Sequence, residues 1–256
     1  MELLITVVDL QPGSVDVRRV VDALLVFTHA HLAQNHGNHA ALIACCKGSS
    51  YLFPSDRRKA TSEEGQGNEY RPFAVLDKQA VNRLHSLVQT LSPDHLHGTH
   101  IAGALSLALC YINRISLPAR ILVVSSGRRT AQHYIPTMNC IFAAQKLHVP
   151  IDVLSFGGES GFLQQAASVT HGIFHTHDES KGSSNNHLLG ELFLLYTPSL
   201  SSRPHLLQAT DANVDFRASC FCHRRTVDVG YVCSVCLSIF CSAMRQCKTC
   251  HTKFAA

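Results

Sequence analysis

Tryptophan is absent from this chain, and charged residues make up only 16% of its 256 positions. With 46% hydrophobic residues, the balance reads as a globular protein of low charge, long enough for one sizeable domain and a small appendage. No apolar run approaches the ~20 residues that a membrane span needs, which argues against a spanning helix. The opening stretch Met1-Glu-Leu-Leu-Ile-Thr-Val-Val-Asp9 has an early acid, no basic segment and no small-residue cleavage site, so it does not read as a secretory signal. The formal charge of +4 is modest and forms no basic stripe. The nearest run, Asp56-Arg57-Arg58-Lys59, sits in a loop, so composition permits nucleic-acid contact without arguing for it. Enzyme signatures are missing too. Leu10-Gln-Pro-Gly13 is not a dinucleotide fingerprint, and there is no Walker loop and no G-x-S-x-G elbow. The glycines of Phe156-Gly-Gly-Glu-Ser-Gly161 match no phosphate motif and read as a helix start. There is no internal repeat.

What is present first is alternation. The apolar run at 3–10 suits a buried strand, and a helix follows from about Ser14, which is placed to cap it, with Val17, Val20, Val21, Leu24, Leu25 and Leu32 at helical steps. His39 to Cys46 and Tyr51 to Phe53 read as strands joined by a hairpin turn at 47–50, followed by a long polar loop over 54–72. A helix faced by Val81, Leu84, Leu87, Val88 and Leu91 comes next, then a helix near Ile101–Ile115 that is apolar almost all round and expected to be buried. Further strands are expected at 119–124, 151–156 and 172–175, with helices at 139–148, 162–170 and 188–196. The order predicts an α/β domain, doubly wound, with a mostly parallel sheet and one antiparallel edge strand. Pro198, the serines at 199, 201 and 202, and Pro204 mark a linker. The domain division is therefore 1–197, a linker over 198–217, and a cysteine module over 218–256.

Seven of the eleven cysteines fall in that last module. They read Cys220-Phe-Cys222, Cys233-Ser-Val-Cys236, Cys241 and Cys247-Lys-Thr-Cys250. A C-x2-C lets two thiolates of one tight turn reach the same ion, and two such knuckles ten residues apart close a tetrahedral four-sulfur site suited to zinc. Disulfides are the rival reading. Cys45, Cys46, Cys110 and Cys140 lie in apolar segments, as buried reduced cysteines do, which favours a reducing compartment and metal ligation. Cys233, Cys236, Cys247 and Cys250 make the complete site, with Leu237-Ser-Ile-Phe240 between the knuckles to fill a tiny core. In a cross-braced arrangement Cys220 and Cys222 would pair with Cys241 and a ligand near 244. That position is Met244, and His223 is awkwardly adjacent to Cys222, so the second site (Cys220, Cys222, His223, Cys241) is expected to be incomplete. One zinc is expected to be held, with a second in doubt. The histidines of Asp94-His95-x-His97-x-x-His100 and His175-x-His177-Asp178 have no catalytic spacing and read as surface residues without a ligand role.

The pattern Ile5-Thr-Val-Val-Asp9, helix, hairpin, helix 101–115 and strand Arg120-Ile-Leu-Val-Val-Ser125 resembles the von Willebrand factor A domain. That family often holds a divalent cation with D-x-S-x-S after strand one. Here Asp9 is kept, but Gln11 and Gly13 replace the hydroxyls, and Ser125-Ser126-Gly127 stands where a later aspartate belongs. The resemblance therefore implies a scaffold domain with no Mg2+ at this site. Joined to the segment Asp215-Phe-Arg-Ala-Ser-Cys220-Phe-Cys222-His223 and the knuckles, the whole chain resembles the family of smaller von Willebrand A-like, zinc-binding core subunits of the general transcription and DNA-repair factor TFIIH. The resemblance implies a nuclear, non-catalytic scaffold for transcription initiation and nucleotide excision repair. Its partners would be the other core subunits, chiefly the larger A-domain and zinc subunit, with no membrane, no small-molecule substrate and at most weak or indirect DNA contact. A RING-like ubiquitin-ligase module and a nucleic-acid-binding zinc ribbon remain alternatives. The second draws on Arg224, Arg225, Arg245, Lys248 and Lys253; the incomplete site counts against the first.

Overall fold

A computed structural model describes residues 1–9, 16–45, 49–54, 71–90, 101–125, 134–156, 161–178, 185–207, 214, 216–223 and 226–254. A six-stranded sheet runs in the order β3-β2-β1-β4-β5-β6, comprising β1 (Leu3–Asp9), β2 (His39–Cys45), β3 (Ser49–Phe53), β4 (Ala119–Ser125), β5 (Ile151–Ser155) and β6 (Phe174–Thr176). Of these six, β3 alone is antiparallel, at one edge. Strand β1 lies between β2 and β4, with Asp9 level with Cys45 on one side and Ser125 on the other. Its run of apolar residues without alternation follows from burial on both faces. Leu3, Ile5 and Val7 pack on the side of α3 (Ile101–Ile115), α4 (Tyr134–Lys146) and α5 (Gly161–Thr170). Leu4 and Val8 pack on the side of α1 (Val17–Gln34), α2 (Arg71–Thr90) and α6 (Asn185–Tyr196).

Several expectations need correcting in detail. The cap of α1 is Asp16, whose Oδ1 accepts from the amides of Arg18 and Arg19 at 3.1 and 3.4 Å; Ser14 lies outside the described residues. An Asx side chain directly before the first helical residue reaches these orphan amides better than one two residues further out. The polar loop ends sooner than 72, because α2 begins at Arg71. On α2, Leu76 and Ala80 are buried, Leu84 and Leu87 pack against the same core half-buried, and Val81 is exposed. Cys110 is exposed on α3, whereas Cys45 and Cys140 are buried; Cys46 and the turn at 47–48 lie outside the described residues. Gly172 passes so close to the Ile151 carbonyl that any Cβ there would clash with backbone, which fixes glycine at the entry to β6.

The segment after α6 is docked rather than extended. Arg120, buried beneath the sheet's N-terminal edge, pairs with Glu2 at 3.0 Å and donates to the carbonyls of Tyr196 and Pro198 at 2.6 and 2.8 Å. A 3-10 turn at Arg203–His205 sends the Arg203 guanidinium to both carboxylate oxygens of buried Asp152. Asp152 also accepts from the Ile173 amide at 2.9 Å. The Tyr196 hydroxyl donates to the Val153 carbonyl at 2.6 Å. Residues 198–206 thus belong physically to the sheet domain, a role that their prolines and serines conceal.

Candidate metal centre

The last part of the chain builds three short antiparallel pairings: β7 (Ala218–Ser219) with β8 (Thr226–Val227), β9 (Tyr231–Val232) with β10 (Ile239–Phe240), and a bridge between Gln246 and Lys253. The two C-x2-C turns are copies of one another. In the first, the Leu237 amide donates to the Cys233 carbonyl at 2.9 Å and the Cys233 amide to Ser238 at 2.9 Å. In the second, the His251 amide donates to Cys247 at 3.0 Å and the Cys247 amide to Thr252 at 2.8 Å. The residue after each second cysteine is left-handed, Leu237 at φ 58° and His251 at φ 59°. Leu237 therefore does not fill the core as the sequence suggested. The left-handed turn swings it outward, and Phe240 takes the interior with Cys233 and Cys247, flanked by Phe221, Met244 and Phe254.

Cys233, Cys236, Cys247 and Cys250 converge, with all four sulfurs within 4.8 Å of one another. Cys233 and Cys250 stand 3.7 Å apart, and Cys236 and Cys247 3.5 Å. Four sulfurs around one ion at ~2.3 Å would be about 3.8 Å apart, so this set fits a tetrahedral ion almost as it stands. Amides of Thr249 and Cys250 point at the Cys247 sulfur at 3.4 and 3.5 Å, the donors that a thiolate requires. The Thr252 hydroxyl and amide hold the Cys250 thiol down at about 6, so it is mostly thiolate at neutral pH, the form that binds metal.

The second set also converges. Cys220, Cys222, His223 and Cys241 bring one ligand atom each within 4.8 Å of the others. The adjacency of His223 to Cys222 is no obstacle: its Nδ1 lies 3.2 Å from Cys222 Sγ, 3.2 Å from Cys241 Sγ and 3.8 Å from Cys220 Sγ. Nδ1, the ring nitrogen nearer the backbone, turns back into the same loop that carries the two cysteines. Cys222 and Cys241 are 3.5 Å apart; Cys220 and Cys222, at 2.7 Å, would open by about an ångström around an ion. Burial works to raise the Cys220 thiol, yet the Cys222 side chain and the amides of His223, Cys222 and Cys241 bring it down to about 6. Met244 supplies no ligand and packs in the small core. The two sets interleave along the chain, the cross-braced order expected from spacing, with histidine in place of the missing fourth cysteine.

At the sheet's C-terminal edge, where strand order reverses between β1 and β4, Ser125 donates to Asp9 at 3.2 Å. Gln11, Gly13, Ser126 and Gly127 lie outside the described residues, as do His95, His97 and His100. His177 is not a surface histidine, and its neighbour His175 is half-buried. His177 is buried, and both meet Glu191 of α6, a carboxylate that sequence reading passed over although His187-x3-Glu191 presents both residues on one helical face.

Residues 1–251 match the family model described as transcription factor Tfb4. The chain is 42% identical over 269 residues to the general transcription and DNA repair factor IIH subunit tfb4 of Schizosaccharomyces pombe, covering 98% of this chain and 88% of that protein. The crystal structure of the TFIIH p34 N-terminal domain is 29% identical with a TM-score of 0.63, spanning 75% of this chain and 96% of that one. A von Willebrand factor type A protein from Catenulispora acidiphila shares the fold, at 14% identity and a TM-score of 0.50 over 75% of this chain and 42% of that one.

Proposed function

The chain belongs to the transcription factor Tfb4 family, and from that premise we propose that it is a non-catalytic structural subunit of the TFIIH core, working in the nucleus in transcription initiation and nucleotide excision repair. Each cysteine-bearing set holds one zinc: Cys233, Cys236, Cys247 and Cys250 the first, Cys220, Cys222, His223 and Cys241 the second. Borderline-soft Zn2+ takes both donor sets, four sulfurs in the first and three sulfurs with one imidazole nitrogen in the second; the separations in the first suit a tetrahedral ion as they stand, and the second needs Cys220 and Cys222 to part. The ions replace a hydrophobic core that this segment is too small to build.

The observation that carries the scaffold reading is the module's outer surface. Val229, Tyr231, Val232, Val235 and Leu237 are each more than half exposed, along the hairpin and first knuckle of one small module. Exposed apolar residues grouped in this way mark a surface made to be covered. Its partner is the larger A-domain and zinc subunit of the same complex, with DNA contacted at most indirectly. A complete second set removes one argument against a ligase, but family membership does not favour that alternative, and ubiquitylation by the purified chain is expected to be absent.

The test is co-purification. Cys233→Ser or Cys250→Ser should lower zinc content and weaken capture of the larger subunit while the sheet domain stays folded. Assembly at full affinity by a zinc-depleted variant would remove the module from the docking surface.

A further inference from the structure

Beyond the cysteine module, the described residues hold one more convergent set of metal-ligating side chains: His177, His187 and Glu191, with one ligand atom from each within 4.8 Å of the others. Two elements bring it together. His175 and His177, two apart at the end of β6, share one face of an extended segment. His187 and Glu191, four apart on α6, share one helical face. Where the faces meet, His177 Nδ1 lies 2.5 Å from Glu191 Oε2, His175 Nε2 lies 3.1 Å from Oε1, and His187 Nδ1 lies 3.4 Å from Oε1. Phe156 covers the buried ring of His177, with centroids 5.0 Å apart.

One carboxylate facing three imidazoles leaves an imbalance. His187 Nδ1 is shielded from solvent and has no hydrogen-bond partner, although Glu191 Oε1 lies 3.4 Å away. An orphaned, buried ring nitrogen costs free energy unless something takes its lone pair. We propose that His177, His187 and Glu191 form a third metal site, for a first-row divalent ion such as Zn2+, that ties α6 to the edge strand β6. Two imidazoles and a carboxylate suit zinc, and the nitrogen donors discriminate against Mg2+ and Ca2+, which favour all-oxygen shells. His175 donates to the free oxygen of Glu191 and orients it, as the outer partners of ligating carboxylates do.

The location explains what such an ion adds. The far end of α6 is already fixed by the Tyr196 hydroxyl on β5 and by Arg120 on the Tyr196 carbonyl. The near end meets the three-residue strand β6 through this cluster, so an ion here would pin the helix at both ends.

The inference is independent of the role in TFIIH. Full-length chain loaded with Zn2+ and desalted is compared by native mass spectrometry with His187→Ala and Glu191→Gln, the first a half-exposed position chosen because its loss spares the core. Each variant should hold one ion fewer than the unmodified chain. The same one-ion loss should appear when Cys236→Ser and Cys241→Ser are already present, which separates this site from the cysteine sets. An unchanged ion count in His187→Ala, or a loss confined to Glu191→Gln, would overturn the proposal.

Discussion

The sheet domain and the cysteine module reach a fixed structure by opposite means. In the sheet domain, helices cover both faces of a buried sheet, and each face has its own continuous apolar core. Among the described residues of the module the buried hydrophobic set is Cys220, Cys233, Phe240 and Cys247, three of them metal-ligand candidates. A large apolar interior lets the first region tolerate one lost contact, whereas the second, on the proposed zinc reading, depends on ligands that must all be present at once. The comparison also reverses where charge is buried. The sheet domain encloses the pairs Arg120–Glu2 and Arg203–Asp152, while the module leaves apolar side chains outside.

The largest effect that would sharpen this contrast comes from a single ligand. Cys247→Ser should unfold the module outright, since zinc binding supplies about 10–16 kcal/mol of folding free energy in such units, and should leave the sheet domain's urea transition unchanged. Limited proteolysis reports both regions in one experiment, and a module that stays protected would break the contrast.

Within the sheet domain, Asp152→Ala strands the Arg203 guanidinium in a buried site and removes the acceptor of the Ile173 amide. A loss of about 3–5 kcal/mol in urea denaturation is expected, with metal content unaffected. A smaller loss would mean that the 3-10 turn detaches and lets Arg203 reach water.

The third effect depends on pH. Burial, then the charge of Arg120, lowers the His31 imidazole from 6.5 to about 4, against the opposing pull of the Glu2 and His39 carbonyls. Between those values the unfolded chain takes up a proton that the folded chain refuses. His31's contribution is therefore intact above about pH 6.5 and is lost as the pH falls towards 4, by about 3 kcal/mol in all. Denaturation of His31→Gln alongside the unmodified chain at several pH values should show that slope only in the latter.

The smallest effect lies in the knuckle. Leu237 sits at φ 58°, where a β-branched side chain clashes with its own backbone. Leu237→Val should weaken zinc retention by about 1–2 kcal/mol in chelator competition, while Leu237→Gly should hold it or tighten it. Equal behaviour of the two would mean that the left-handed turn does not survive in solution.

These regions also differ in how legible they were. The parallel sheet was readable because doubly covered strands need unbroken apolar runs, and no other arrangement suits 3–9, 119–125 and 151–155 so well. The helix faces were less so. Val81 and Leu76 are both apolar at workable steps on α2, and only packing decides that Leu76 goes inside. The segment 198–206 has the composition of a linker, and its docking depends on Arg203 meeting Asp152 across 51 positions of chain, which no local pattern announces. In the module, spacing pointed to the four-cysteine set and its interleaving, and the four sulfurs do converge. It misjudged His223, because adjacency in sequence says nothing about which ring nitrogen a turn presents. The cluster around Glu191 joins two elements, and only half of it had drawn notice.

If zinc holds the module as proposed, the sheet domain folds on its own core while the module folds on its metal. Hydrogen exchange of the full chain with and without a zinc chelator tests it most directly. The prediction is loss of amide protection across 218–254, including the Leu237 and His251 amides, with β1, β4 and β5 protected as before. Protection that persists in the module after zinc is removed, or that collapses in both regions together, would contradict it.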